Sequence, residues 1–117
     1  MSTLEVSNLN DGTTTVATTY VTNGSAKAWN NTSADGATIN ESFNISSLTD
    51  SSTGQRTHNV TSNLATTTYV PQMNLNNNNY DQYWVANIAA TGWSTNSYDG
   101  SSYQDARHVT VAFGDLA

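Results

Sequence analysis

Arg107-His108-Val109-Thr110-Val111-Ala112-Phe113 sets Arg107, Val109, Val111 and Phe113 on one side and His108, Thr110 and Ala112 on the other. That strict period of two is the alternation of a β-strand. Working back from it, Tyr83 to Ala90 carries Trp84, Ala86, Ile88 and Ala90 on one face and Tyr83, Val85, Asn87 and Ala89 on the other. Apolar groups on both sides predict a central strand there. Thr67 to Leu75 puts Tyr69, Met73 and Leu75 together, and Pro71, which has no ladder donor, sends that strand to a sheet edge or a bulge. Phe43 and Ile45 share a face in a strand reaching Thr49, and Leu48 joins them only if a bulge lies near Ser46-Ser47. Asp50 to Gly54 reads as a turn, and Ala26 to Asn30 as another short strand followed by a polar loop to Gly36.

Ser, Thr and Asn supply 49 of the 117 residues, and their short polar side chains compete with helix interiors while suiting strands and turns. With five or more short strands and no helical periodicity, the fold class is all-β: a compact antiparallel β-sandwich, jelly-roll-like or a small barrel. Residues 1–24 are expected to be an extended N-terminal segment, with Thr13-Thr14-Thr15 and Thr18-Thr19-Tyr20 suited to edge strands. Residues 25–117 form the sandwich domain.

Leu, Ile, Val and Phe together number only 19, so one thin core is all the chain can close. Small domains with thin cores are reinforced by disulfides, metal or association. The chain has no cysteine and two histidines, so association with copies of itself is the expected route, and no metal or cofactor is expected. A net charge of −6 with Lys27, Arg56 and Arg107 as the three basic residues argues against nucleic-acid and anionic-membrane partners. No apolar run is long enough to span a membrane, and the first residues do not start a signal peptide.

Three stretches then carry a resemblance: Tyr20-Val21-Thr22-Asn23-Gly24-Ser25-Ala26-Lys27-Ala28-Trp29, Glu41 through Asp50, and Gly54 through Thr61. Together they resemble a module of tail-fibre and other virion structural proteins of tailed bacteriophages, especially marine and cyanobacterial ones. The likeness runs roughly from Asp11 to Thr68, with Val109 to Phe113 in the same style. It implies a homotrimeric, non-catalytic β-domain of a virion appendage, made in the host cytoplasm, whose residues 1–24 join a fibre shaft. Its implied partners are other tail or fibre proteins and a host polysaccharide or protein receptor. The chain departs from that pattern twice: Arg56 and His58 replace an aromatic and an aliphatic residue after the glycine turn, and Asn30-Asn31-Thr32 follows Trp29 where a hydrophobic residue is usual.

Arg56, His58 and Val60 share one face of a strand. Either that face points inward, with the charge paired to an acid such as Glu41 or Asp50, or it is the solvent side. The acidic residues sit in turns (Asp11, Asp35, Asp50, Asp81, Asp99 and Asp115), where turn chemistry accounts for them without catalysis. No Gly-x-Ser-x-Gly elbow accompanies the two histidines.

Asn76 to Asn79 reads as a loop and Thr91 to Ser102 as a long loop or loose hairpin, and the functional expectation falls on Tyr80, Trp93, Tyr98, Asp99 and Tyr103 in and beside them. Flat apolar rings among short hydrogen-bonding groups suit a sugar, which offers a C–H face and a rim of hydroxyls. Against this, Trp93 and some tyrosines can equally be core or interface residues, while Trp84 is expected in the core. The leading expectation is a glycan-contacting attachment module without catalysis. The alternatives are a stand-alone carbohydrate-binding module or a fragment of a glycan-degrading tailspike.

Overall fold

The computed structural model describes residues 1–75 and 82–117. Two four-stranded antiparallel sheets form the body of the molecule. The first takes β3 (Ala26–Thr32), β4 (Ile39–Phe43), β7 (Val70–Leu75) and β10 (His108–Phe113) in the order β4-β3-β10-β7. The second takes β5 (Ile45–Ser52), β6 (Gln55–Val60), β8 (Gln82–Ala89) and β9 (Gly92–Tyr98) in the order β5-β6-β9-β8.

The all-β sandwich expected from the alternation is what the chain forms, and several local expectations hold with it. Pro71 lies on β7, an edge strand, where a missing donor costs least. The register of β5 against β6 slips between Ile45 and Ser47, and this bulge brings Leu48 to the half-buried side. Gly54, at φ +68°, closes the β5–β6 turn.

Other expectations are corrected. Phe43 and Ile45 do not share a strand: Asn44 takes the left-handed conformation (φ +56°) and passes the chain from the first sheet to the second. Its side chain holds the corner, donating to the Lys27 and Ser62 carbonyls and accepting from the Ser62 amide. Strand β8 is an edge strand, not a central one, and the central partner is β9, in the stretch that read as loop.

The N-terminal segment is not simply extended. It forms a hairpin of β1 (Asn8–Asn10) and β2 (Thr15–Ala17), then a helix, α1 (Thr18–Gly24), that buries no residue. Lys27 ties the end of this helix to β3 by donating to the Thr22 and Ser25 carbonyls, a cation placed where the helix carbonyls point.

Trp93, fully buried on β9, is the centre of the core. Tyr69 meets it edge-on at 6.1 Å and His58 stacks on it at 5.5 Å, with Ala28, Val60, Leu64 and Ala112 around them. The Tyr69 hydroxyl donates to the Ala89 and Gly92 carbonyls, locking the β8–β9 hairpin against the residues leading into β7. Among the described residues the largest fully buried side chains are Trp93 and Leu64, followed by His58, His108, Asn30, Thr32, Thr95 and Ser97. The thin core of the composition is therefore a half-polar one.

Candidate functional site

Arg56 and His58 point inward. The Arg56 guanidinium pairs with Asp50 at 2.8 Å and Asp105 at 3.0 Å, and donates further to the carbonyls of Gly36, Ser52, Gln55 and Asp35. Asp50 was one of the two acids expected from the sequence. Asp105, distant in the chain, was not expected, because nothing local marks it.

Between the sheets a hydrogen-bonded chain runs from Asn30 to the Gln104 carbonyl. The Thr110 hydroxyl donates to Asn30 Oδ1, and Asn30 Nδ2 meets His58 Nδ1 at 3.0 Å. His58 Nε2 lies 2.7 Å from Thr95 Oγ1, which lies 2.6 Å from His108 Nδ1. His108 Nε2 is 3.2 Å from Ser97 Oγ, and Ser97 donates to the Gln104 carbonyl at 2.6 Å. Because Asn30 Nδ2 donates and Gln104 accepts, every member is satisfied when both imidazoles are neutral and carry their proton on Nε2. Burial pushes His58 down to about 3, with the charges of His108 and Arg56 acting in the same direction. Burial likewise pushes His108 down to about 4, with Arg56 adding to the effect and Asp105 opposing it. The two departures from the phage-module pattern thus meet: Asn30 on one sheet is the partner of His58 on the other. This cluster is sealed and internal, so it organises the fold and offers no surface to a ligand.

The outer face of the second sheet is different. Cross-strand register aligns Gln55, Asn96 and Trp84 in one row and Thr57, Ser94 and Ala86 in the next. All of these but Thr57 line a groove of about 200 Å³, together with Ser51, Arg56, Asn87 and Tyr103. The β8 ladder slips after Ala86, and Asn87 there adopts φ +48°, a bulge that aims its side chain to the groove. Tyr103 bridges to Tyr98 and touches Trp84, with ring centroids 5.5 and 5.9 Å apart respectively.

Several polar groups of this face bond one another: Thr57 with Ser94, and Asn59 with Ser47 and Thr49. Asn96 is bound differently. It is only 7% exposed, it lines the groove, and its carboxamide makes no side-chain hydrogen bond among the described residues.

The expected site residues divide accordingly. Tyr98 and Tyr103 come together, and Tyr103 lines the groove. Trp93 is corrected: it is fully buried and presents no face to a ligand. Trp84, which the sequence had assigned to the core, is exposed, as is Trp29 on the other sheet. The exchange follows from the strand order, since β9 is central and β8 lies at the edge. Asp99 organises its own loop. Its carboxylate accepts from the Ser101 and Ser102 amides, the Ser101 hydroxyl and Gln104 Nε2, and these bonds, that from Ser102 foremost, hold its carboxyl down to about 2. Tyr80 lies outside the described residues. Asn96, Gln55 and Asn87 were missed, because a lone amide in a chain so rich in amides carries no signal until register places it.

Among the described residues no three His, Cys, Asp or Glu side chains converge to hold a metal ion. No helix among them is long and apolar enough to cross a membrane. Comparison with family models, curated proteins and solved structures finds no match for the chain.

Proposed function

We propose that the chain is a non-catalytic attachment module of a phage tail fibre or other virion appendage, assembled as a homotrimer, that contacts a host surface glycan through the groove on its second sheet. The observation that carries the glycan reading is the Asn96 carboxamide, which lines the groove without a side-chain hydrogen bond among the described residues, beside the exposed rings of Trp84 and Tyr103. An aromatic face takes the C–H side of a pyranose, while amides and hydroxyls from Asn96, Gln55, Asn87 and Ser51 take its hydroxyls. The groove favours a neutral sugar. Arg56, the cation on its lining, is committed to Asp50 and Asp105, leaving it no charge to offer an acidic one.

The sequence resemblance supports the virion setting. So does the N-terminal segment, whose exposed Leu4, Leu9, Val16, Tyr20 and Val21 suit a stretch that continues into neighbouring chains of a shaft. A glycan array run with the full chain tests the binding. Neutral glycans should bind, and Trp84→Ala and Asn96→Ala should each weaken binding at least tenfold while the circular dichroism stays unchanged. An array on which nothing binds, or binding that survives both substitutions, refutes the groove as the receptor site. A monomer with sugar affinity would point instead to a stand-alone carbohydrate-binding module.

A further inference from the structure

The central strands of the first sheet, β3 and β10, wear their polarity inside out. Register places Trp29 opposite Phe43 and Val111, Asn31 opposite Glu41 and Val109, and Phe113 opposite Val70, all on the face turned away from the core. On the central β3–β10 pair the face turned toward the core carries Ala28, Asn30, Thr32, His108, Thr110 and Ala112, while edge strand β7 adds Pro71, Met73 and Leu75 to it. In an antiparallel sheet with one wet side, the apolar set belongs on the covered side, and slipping the register by one residue would put it there. The chain does not slip, because the inner set is held by the Asn30–His58–Thr95–His108 bonds and by the Thr32 hydroxyl accepting from the His108 amide. Both faces of this sheet are therefore built to be covered.

We infer that the outer face of the β4-β3-β10-β7 sheet is the surface through which copies of this chain associate. The inference rests on the homotrimer reading and names its interface. Phe43 and Val70 are each more than half exposed, and Trp29 and Val109 are each 38% exposed. With the half-buried Val111 and Phe113 they make a patch of roughly 400 Å², at the size where an exposed patch marks an interaction site. That is about half of the ~800 Å² each partner contributes to a standard interface. The flanking Asn31, Gln72 and Asn74 rows supply a polar rim.

Charge selects the occupant. Lys27 is turned back onto the end of α1, leaving Glu41 in the paired rows and Arg107, next to β10 on the Val109 side, as charges of opposite sign at this face, while the chain as a whole carries −6. A face so nearly neutral lets like-charged copies approach. A cationic partner would find its complement elsewhere, on the turns that bear Asp11, Asp35 and Asp99. Neither sheet edge nor groove is needed for this contact, so the second sheet stays free.

The absence of cysteine makes the test direct. Single-cysteine variants Val109→Cys and Val111→Cys report on this face, and Thr57→Cys reports on the outer face of the other sheet. Native mass spectrometry and sedimentation of the unmodified chain should show a species of three chains that dissociates on dilution. In that species Val109→Cys and Val111→Cys should react with a thiol reagent at least tenfold more slowly than in the diluted monomer, while Thr57→Cys reacts alike in both. The Val109→Thr/Val111→Thr pair, which keeps shape and strand preference, should raise the dissociation constant at least tenfold with the circular dichroism unchanged. Assembly with both cysteines fully reactive, or assembly untouched by the threonine pair, overturns this surface and leaves the trimer reading standing. A single subunit at every concentration overturns both and leaves the glycan groove standing.

Discussion

Acidifying the protein from about pH 7.5 to about pH 5 will remove about 4 kcal/mol of folding stability, because two buried imidazoles cannot take up protons that the unfolded chain accepts. The ordinary histidine pKa is 6.5, and the fold lowers it to about 3 for His58 and about 4 for His108. A depressed histidine contributes nothing to this difference above 6.5, where both states are neutral. As pH falls below 6.5 the unfolded state gains protons and the folded state does not, so stability drops until the folded values are reached. At pH 5 each residue lies about 1.5 pH units below its unfolded value, about 2 kcal/mol apiece at ~1.4 kcal/mol per unit.

The geometry gives the cause. Protonating His58 would set an N–H against the Asn30 amide, and protonating His108 would set one against the Thr95 hydroxyl proton. Around them stand the charges of Arg56, which opposes protonation, and Asp105, which favours it at His108. The carboxylates held low, at Asp11, Asp35 and Asp99, lose their own contribution only below about pH 4, outside this window. Urea unfolding followed by circular dichroism at one fixed chain concentration, at about pH 7.5, 6 and 5, measures the slope. Against a total near the usual 5–15 kcal/mol, the loss should move the midpoint conspicuously. Stability constant to within about 1 kcal/mol across that range would refute the buried neutral relay, given the linkage above.

Arg56→Met should cost about 2–4 kcal/mol in chemical denaturation, because it strands four carbonyls and two carboxylates, whereas Asp105→Asn should cost about 1 kcal/mol since that carboxylate is half exposed. Asn30→Val combined with His58→Phe should cost at least about 1 kcal/mol less than the two single changes added together, measured as a double-mutant cycle, because each single change orphans the other's polar group. Gly92→Ala should destabilise by at least about 3 kcal/mol by thermal melting, since Gly92 holds φ +147° and its added Cβ would sit 1.9 Å from the His58 carbonyl oxygen.

The alternation along His108–Phe113 was legible as a strand, and Pro71 and Ser46-Ser47 were legible as edge and bulge, because each is a local backbone fact. Which face of a strand points inward was not. Alternation separates two sets of side chains, and the Arg56-His58-Val60 set was evenly poised until partners from distant segments, Asp105 and Asn30, came into place. Ser94 to Ser97 read as loop because short polar residues make turns, yet here they belong to a central strand, with Thr95 and Ser97 facing the interior and Ser94 and Asn96 the groove. That error moved Trp93 to the surface and Trp84 to the core. Helix α1 was invisible for a related reason: Thr18-Thr19-Tyr20-Val21-Thr22 is β-branched or aromatic throughout, and nothing in it repeats at helical spacing.

The two sheets of the sandwich face opposite ways, and this has a geometrical consequence. On the proposed reading, in which the apolar outer face turns toward a common axis and the groove takes a sugar, each groove is carried to the outer circumference, and several point outward at once. A receptor displayed many times on a cell surface then meets several weak sites tethered at high local concentration, so each can bind feebly and release quickly while the particle stays attached.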